Sequence, residues 1–241
     1  MSNKIKSPND RGNGFIWALV AILVIAVIIV AYIVYSSQGA KTEWVADREF
    51  EDVQLEATRD GSVVTLRSEN ATADTPEADL YEDYSCPHCS ELAIATDDQM
   101  RDAVEAGDLV VNLHTLHFMD NQNTSGHSHS ALAAALATVE QGDSDLFWNY
   151  RALLLEEQEQ IANQWNNEDF ANAAAEMGAS DAVVEAINND EFREDATALG
   201  DDNAAMLEEQ TGSVSSPRVL QDGQDIAEND IFNWIPVAIQ G

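Results

Sequence analysis

A long apolar segment lies near the N-terminus, and short alternating and helical patterns follow it. Residues 15–35 form a run of 21 residues without a charged side chain, rich in Ile, Val, Ala and Leu. As an α-helix this run is about 32 Å long, which is enough to cross the hydrocarbon core of a bilayer. Trp17 lies near one end, and Tyr32 and Tyr35 near the other, where amphipathic rings favour membrane interfaces. The pattern predicts a transmembrane helix over residues 15–35.

The flanking charges predict the orientation of this helix. Three cations lie in the polar tail formed by residues 1–14, namely Lys4, Lys6 and Arg11. They place the tail in the cytoplasm and the rest of the chain outside. A cleaved signal peptide is the alternative, but its apolar core is normally about 7–15 residues long, with small residues before the cut. Gln38, two positions before Ala40, fits such a site poorly. We therefore expect a retained signal anchor, a single-pass location in the cell membrane and an extracytoplasmic main domain.

Residues 36–75 are predicted to form a linker and a β-hairpin. Residues 61–67 follow an Asp-Gly turn and have the composition of a strand. Residues 52–57 alternate apolar and polar side chains and are predicted to be its hairpin partner. Residues 68–76 are rich in Asn, Thr, Asp and Pro and have no apolar period, which indicates a domain boundary there.

The apolar period changes from that of a strand to that of a helix at residue 86. Residues 79–84 are short and partly alternating, which predicts a strand. The following residues recur at helical spacing up to a stop at Gly107: Cys89, Leu92, Ala93, Thr96, Met100, Ala103 and Val104. Cys86 therefore lies at the N-terminal end of a helix, with Pro87 in the first turn, where proline is tolerated.

Charge excludes one class of function. The formal net charge is −33, and all three lysines lie at or before residue 41: Lys4, Lys6 and Lys41. A field of this sign repels nucleic acid and opposes binding to anionic lipid surfaces. We therefore expect no nucleic-acid partner and a heavily solvated surface that keeps the protein soluble.

The two cysteines of the chain lie in the stretch Tyr84-Ser85-Cys86-Pro87-His88-Cys89. A disulfide between them closes a very short ring and adds little stability, which indicates a bond that is made and broken. The free N–H groups and dipole of a helix N-terminus stabilise a thiolate, so Cys86 is predicted to be an exposed attacking thiol of low pKa. Cys89 is predicted to resolve the mixed disulfide, and a protonated His88 to favour the thiolate further.

A zinc site is the competing interpretation of the cysteine pair. A closed site needs two ligands besides two thiolates. His114 and His117 would point to opposite faces of a strand, and His127 and His129 fall in a stretch predicted to be a polar loop. We therefore expect neither a metal nor a cofactor.

Residues 80–89, Leu-Tyr-Glu-Asp-Tyr-Ser-Cys-Pro-His-Cys, resemble the active-site segment of the DsbA-like thiol-disulfide oxidoreductases, which have a thioredoxin fold. Residues 211–220 resemble the segment that carries the cis-proline of that family. The resemblance implies a cis peptide between Ser216 and Pro217, beside the dithiol, where a substrate chain pairs with exposed backbone groups. The likeness covers roughly residues 76 to 240.

The resemblance implies an α/β architecture with a thioredoxin-like domain over residues 76–241 and a helical insertion at about residues 125–208, preceded by the single N-terminal transmembrane helix. Residues 108–117 then correspond to the next strand and residues 118–126 to a loop. Apolar residues on single faces predict helices within residues 129–154 and 170–187. Asp222-Gly223 predicts a hairpin turn, and residues 230–239 a closing helix in which Pro236 is a difficulty.

Two positions depart from the family pattern. Many members carry an acid six residues before the first cysteine, where this chain has Leu80. Glu82 and Asp83 are candidates to replace that acid, although a strand points their side chains to opposite faces. The residue before the proline is Ser216, where Thr or Val is more usual, and this change is expected to affect substrate release.

The resemblance implies an extracytoplasmic oxidase that introduces disulfides into exported unfolded or reduced proteins through a mixed disulfide at Cys86. A membrane-embedded redox partner would reoxidise the dithiol, and a monomer is expected. The Pro87-His88 pair resembles oxidising members of the family and favours this direction. Two alternatives stay open, a reductase or isomerase of the same fold and a non-catalytic metal-binding or chaperone-like module.

Overall fold

The computed structural model describes residues 14–39, 41–121 and 123–240, and within the first range the side chains of residues 16–30. Helix α1 spans Gly14–Gly39 and belongs to a unit separate from the rest of the chain, which begins at Thr42. Its described side chains are apolar and exposed. Across the described residues, no helix combines the length and the apolar character that crossing a membrane requires. Residues 1–13 of the predicted tail lie outside the described residues, and the transmembrane helix stays a prediction.

The second unit is built on a mixed sheet. Six strands of the described residues pair in the order β1-β2-β4-β3-β5-β6. They are β1 Glu56–Asp60, β2 Val63–Arg67, β3 Glu77–Asp83, β4 Val110–Leu116, β5 Arg218–Gln221 and β6 Gln224–Asp225. β3 and β4 are parallel and the other neighbours antiparallel. β3 lies between β4 and β5, so the chain that leaves its C-terminal end is flanked on both sides by other strands.

Helices cover the sheet and form the insertion between β4 and β5. Helix α2, Pro87–Ala106, connects β3 to β4, and α9, Trp234–Gln240, closes the chain. The insertion contains α3 His127–Val139, α4 Ser144–Glu156, α5 Gln158–Ile161, α6 Asn167–Glu176, α7 Asp181–Asn188 and α8 Arg193–Thr211. Short 3-10 turns lie at Glu43–Asp47, Phe118–Asp120 and Ile231–Asn233.

Helix α2 has the apolar face that its sequence predicts. Leu92, Met100 and Val104 are buried in the main core together with Cys89. Burial of each large aliphatic side chain of this kind contributes about 1.5–3 kcal/mol. The helix ends at Gly107, whose φ of 78° is left-handed, and a Cβ there would lie 2.6 Å from the Asn70 carbonyl carbon. This glycine is therefore required both by its backbone conformation and by the close approach of the neighbouring turn.

The predicted hairpin partner over residues 52–57 is misplaced, since the strand that pairs with β2 is Glu56–Asp60. Val53 and Leu55 are buried, as their alternation indicates. However, the Val53 N–H donates to the Asp145 carboxylate of α4 at 2.7 Å. The alternation therefore reports burial in the main core, and the Val53 backbone is held by α4 and not by a partner strand.

The prediction of a polar loop at residues 127–129 is wrong. Helix α3 begins at His127, and His127, Ser128 and His129 are all buried. The Ser128 hydroxyl donates to Asp83 at 2.6 Å, and the His129 Nδ1 lies 2.9 Å from the Asp120 carboxylate. These long-range partners compensate the burial of polar groups, and local sequence does not show them.

The closing helix is shorter than predicted. Residues 231–233 form a 3-10 turn, and α9 begins at Trp234. Pro236 therefore falls in the first turn, where an amide donor has no intrahelical acceptor, and the proline is compatible with the helix. The predicted hairpin turn at Asp222-Gly223 is confirmed, since Gln221 pairs with Gln224 across it.

Candidate active site

The two cysteines lie where the central strand passes into helix α2. Cys86 is the N-cap residue of α2 and Pro87 its first residue. The Cys86 N–H donates to the Asp83 carbonyl at 2.9 Å, which closes a turn after β3. Cys86 is 4% exposed and Cys89 is 2% exposed. The expectation of an exposed Cys86 is therefore wrong: both sulfurs are largely covered, and the difference between them lies in their hydrogen bonds.

The two thiols have opposite pKa shifts. Hydrogen bonding with the Cys89 thiol lowers the pKa of Cys86 to about 5. The Ser216 side chain and the backbone N–H groups of Cys89 and His88 also lower this pKa, whereas burial raises it. Burial raises the pKa of Cys89 well above its usual range, and its hydrogen bond to Cys86 adds to this. At neutral pH the site therefore holds a Cys86 thiolate that accepts a hydrogen bond from a neutral Cys89 thiol.

His88 supports the thiolate from the surface. Its side chain is 76% exposed, and its Nδ1 lies 3.0 Å from the Glu91 carboxylate. The hydrogen bond with Glu91 raises the pKa of His88, and the Cys86 thiolate raises it further. Because this attraction is mutual, a protonated His88 favours the Cys86 thiolate, in addition to the contribution of the His88 backbone N–H.

Ser216 and Pro217 lie against the dithiol. The Ser216–Pro217 peptide bond is cis, as the resemblance implies. When Cys86 is protonated, its thiol donates to the Ser216 carbonyl at 3.4 Å. The Ser216 hydroxyl oxygen is buried, and hydrogen bonding with the Ser216 side chain lowers the pKa of both cysteines. This hydroxyl is therefore available as a donor to whichever sulfur carries the charge.

Asp83 is the buried acid next to the dithiol. Its side chain accepts hydrogen bonds from the Ser128 hydroxyl at 2.6 Å and from the N–H groups of Ser85 at 2.8 Å and Met119 at 3.1 Å. Its own N–H donates to the Cys89 sulfur at 3.4 Å. Burial raises the pKa of Asp83 to about 6 despite these donors. Of the two acids suggested to replace Leu80, Asp83 is the one in contact with the cysteine turn.

We expect the Asp83→Asn variant to change the pH dependence of folding. Because the folded-state pKa lies near 6 and the ordinary value is 3.8, the proton of Asp83 stabilises the fold below about pH 4. This contribution is lost as the pH rises through 6. The wild type should lose about 2 kcal/mol relative to Asp83→Asn between pH 4 and pH 7. Urea denaturation of both proteins at several pH values measures this difference in the free energy of unfolding.

Asp108→Asn, which changes an exposed aspartate, is the matched control and should follow the wild type. Parallel stability curves for wild type and Asp83→Asn would show that the buried carboxyl does not titrate in this range.

Gln158 is a site residue that the sequence did not indicate. It is buried in α5, and its Nε2 donates to the carbonyls of Tyr84 at 2.8 Å and Cys86 at 3.1 Å. The two carbonyls belong to the turn that carries the dithiol, while Gln158 lies more than 70 residues later in the chain. The insertion therefore fixes the backbone on which Cys86 is presented.

The Gln158→Met variant should lose stability and reactivity together. Methionine keeps most of the volume but removes a donor to the buried Tyr84 carbonyl, which costs about 1–3 kcal/mol. We also expect the pH midpoint of Cys86 alkylation to move upward, because the turn that presents the thiolate is less restrained. Gln160→Met alters an exposed residue of the same segment and should change neither quantity. Equal behaviour of the two variants would exclude the positioning role.

A buried ion-pair network joins the site to its surroundings. The Arg151 guanidinium of α4 binds Glu82 of β3 through two hydrogen bonds, at 2.8 and 2.6 Å, and Asp97 of α2 through one at 2.7 Å. All three side chains are buried, and burial raises the pKa of Asp97 to about 6. The network links the strand before the dithiol, the helix after it and the insertion. Glu82 is therefore committed to an ion pair and does not face the dithiol.

His127 and His129 contact groups other than the cysteines. His127 is buried beside Phe170, and burial lowers its pKa to about 4. His129 binds Asp120 and stacks on His117 at a ring distance of 3.9 Å. Within the described parts of the chain, no group of three or more His, Cys, Asp and Glu side chains is arranged to hold a metal ion.

The parallel β3-α2-β4 unit, the Cys-x-x-Cys pair at the helix start and the cis-proline beside it define a thiol-disulfide oxidoreductase of the thioredoxin fold. A sequence model of the thioredoxin family matches residues 40–238, and the chain belongs to this family.

Solved structures of related proteins agree with this class. The MdbA thiol-disulfide oxidoreductase of Corynebacterium diphtheriae is 43% identical, and the match covers 80% of this chain and 98% of that one with a TM-score of 0.78. MdbA of Corynebacterium matruchotii is 34% identical over 83% of this chain and 98% of its own, with the same TM-score of 0.78. DsbA of Mycobacterium tuberculosis, at 18% identity, 69% and 85% coverage and a TM-score of 0.56, shares the fold. The DsbA-like resemblance is confirmed, and the protein is a thiol-disulfide oxidoreductase.

A curated relative matches over a shorter range. The serine/threonine-protein kinase PknE of Mycobacterium tuberculosis is 26% identical over 116 residues, which are 46% of this chain and 20% of the kinase. The match thus spans about one fifth of that kinase's length.

Proposed function

We propose that the protein introduces disulfides into exported proteins through the Cys86–Cys89 pair. The observation that carries this proposal is the position of Cys86 at the N-terminus of α2, with Cys89 in the first turn. Hydrogen bonds from the Cys89 thiol and from backbone N–H groups of this turn lower the pKa of Cys86 to about 5, while burial raises the pKa of Cys89. Stabilising the Cys86 thiolate stabilises the reduced dithiol, and a stabilised reduced form makes the disulfide a stronger oxidant. The direction is therefore oxidation of substrates.

The proposed reaction has two exchange steps. A substrate thiolate attacks the Cys86 sulfur of the oxidised protein, which breaks the Cys86–Cys89 bond, and Cys89 leaves with the electron pair and takes up a proton. A second substrate thiolate then attacks the substrate sulfur of the mixed disulfide and releases Cys86 as a thiolate. The substrate has lost two electrons and the protein has gained two. The low pKa of Cys86 makes it a good leaving group, which accelerates the second step.

The proposed place of this reaction is outside the cytosol, where disulfides persist. The charge-free run of residues 15–35 and the cations before it support a membrane anchor with the N-terminus inside. A membrane-embedded redox partner then accepts the two electrons and returns the dithiol to the disulfide, and the protein works as a monomer. Protease accessibility of the main domain in intact cells tests the location, because a cytoplasmic domain would be protected.

Transfer of the disulfide to a reduced, unfolded protein with two cysteines tests the direction. The oxidised protein, mixed in equal amount with this substrate, should lose its disulfide as the substrate gains one, measured by mass after alkylation. The opposite outcome, in which the reduced protein readily reduces the same substrate's disulfide and the oxidised protein transfers none, would support the reductase alternative.

A further inference from the structure

We infer that a cleft beside Cys86 binds an extended segment of the substrate polypeptide, with an aliphatic residue and a Lys or Arg three to four residues from the reacting cysteine. This inference rests on the proposed function and adds a substrate preference to it. The cleft has a volume of about 330 Å³ and lies between the first turns of α2 and a second wall formed by the end of α4 and most of α5. Its lining residues are Pro87, Ser90, Glu91, Ile94 and residues 156–160.

Two lining residues of the cleft adjoin the dithiol. Pro87 directly follows Cys86, and Gln158, in the opposite wall, donates to the Cys86 carbonyl at 3.1 Å. A chain whose cysteine is joined to Cys86 therefore has this cleft as one of its immediate neighbours.

The wall of the cleft formed by α2 has a largely apolar face that is exposed to solvent. Pro87, Ser90 and Ile94 recur at spacings of three and four residues and so share one face of the helix. Ile94 is 63% exposed, although it lies within the helix that carries the dithiol. Burying a large aliphatic side chain is favourable in free energy. An apolar side chain of the substrate that packs on Ile94 would remove both from water.

The rim of the cleft has more carboxylates than cations. Glu91, Glu156, Glu157 and Glu159 line the same cleft as this face. Arg48 pairs with both Glu156 and Glu157, and His88 pairs with Glu91. One arginine and one histidine face four carboxylates, so the rim keeps an excess negative charge. Acidic residues occur over the whole surface, but here they border an exposed aliphatic residue next to the reacting sulfur, which favours an occupant that is both aliphatic and cationic.

The spacing follows from helix and strand geometry. Ile94 lies eight residues after Cys86, which is about 12 Å along the axis of α2. An extended chain advances about 3.3 Å per residue. A side chain three to four residues from the substrate's cysteine therefore reaches Ile94.

Paired peptides test the inference on the full-length oxidised protein. Each peptide has one cysteine. One peptide of a pair has Leu-Lys three and four residues from the cysteine, and its partner has Ser-Glu at the same positions. One pair carries these residues before the cysteine, and a second pair carries them after it. The rate constant of mixed-disulfide formation is measured by acid quenching and mass spectrometry. We expect the Leu-Lys peptide to react about tenfold faster on one side of the cysteine, with a smaller ratio in 1 M salt.

The ratio should fall toward one in Ile94→Ser and in Glu159→Lys, and stay at the wild-type value in Ile239→Ser, which changes a 37% exposed isoleucine of α9. If all peptides form mixed disulfides and the two peptides of each pair react at equal rates, the inference is overturned and the proposed function stays intact. A ratio that Ile94→Ser does not change, or an Ile94→Ser variant that alters the oligomeric state instead, would also overturn it. The absence of mixed disulfide with every peptide would instead contradict the proposed function.

Discussion

Cys86→Ser is expected to abolish disulfide transfer, with a loss of at least about 10³-fold in rate. The reason is that Cys86 is the thiol whose pKa is lowered to about 5, while burial raises the pKa of Cys89 well above its usual range. A serine hydroxyl at position 86 cannot form the mixed disulfide, and Cys89 alone remains a neutral, buried thiol. Oxidation of a reduced protein substrate, followed by mass after alkylation, measures the loss.

Cys89→Ser should behave differently from Cys86→Ser. Cys86 then still forms a mixed disulfide with a substrate that presents an activated disulfide, but no neighbouring thiol resolves it, so the covalent complex accumulates. Gln99→Ala, which changes an exposed residue further along α2, is the control and should transfer disulfides at the wild-type rate. Full function of Cys86→Ser in its biological role would contradict the redox interpretation and support the non-catalytic binding module.

Arg151→Met is expected to cause the largest loss of stability. Arg151 is fully buried and is the cation between Glu82 and Asp97, so its removal leaves buried carboxylates without compensation. Breaking a buried ion pair in this way costs about 3–5 kcal/mol. The free energy of unfolding from urea denaturation at pH 7 measures the effect.

The same network allows a sharper test by a triple variant. Arg151→Met combined with Glu82→Gln and Asp97→Asn removes all the charges together, and it should recover part of the stability that Arg151→Met loses. Arg67→Met removes an arginine that lies 3.9 Å from Glu77 at the surface, and it should cost less than about 1 kcal/mol. A loss of the same small size for Arg151→Met would contradict the structural role of the network.

The sequence predicted the features that depend on local pattern. The helical spacing from Cys89 to Val104 and the stop at Gly107 define α2, and the Cys-Pro-His-Cys motif places the dithiol at its start. The cis peptide before Pro217 came from the resemblance alone, because nothing in a local pattern distinguishes it from a proline that enters a strand.

The residues that the sequence did not indicate act over long distances along the chain. Gln158 contacts a carbonyl 74 residues earlier, and Arg151 contacts a carboxylate 69 residues earlier. The same holds for Ser128, which hydrogen bonds to Asp83 from the start of α3. A polar residue in an amphipathic helix has the same local pattern whether it faces solvent or a buried partner, so the fold is needed to distinguish the two.

The equilibrium of the dithiol with glutathione tests the central claim, that a stabilised Cys86 thiolate makes this protein an oxidant. The purified protein is equilibrated with defined ratios of reduced and oxidised glutathione, and the fraction of the Cys86–Cys89 disulfide is measured by mass after alkylation. We expect a reduction potential between about −180 and −120 mV, the range of protein disulfide isomerase and DsbA. A value near about −270 mV, the potential of thioredoxin, would contradict the oxidase and support a reductase.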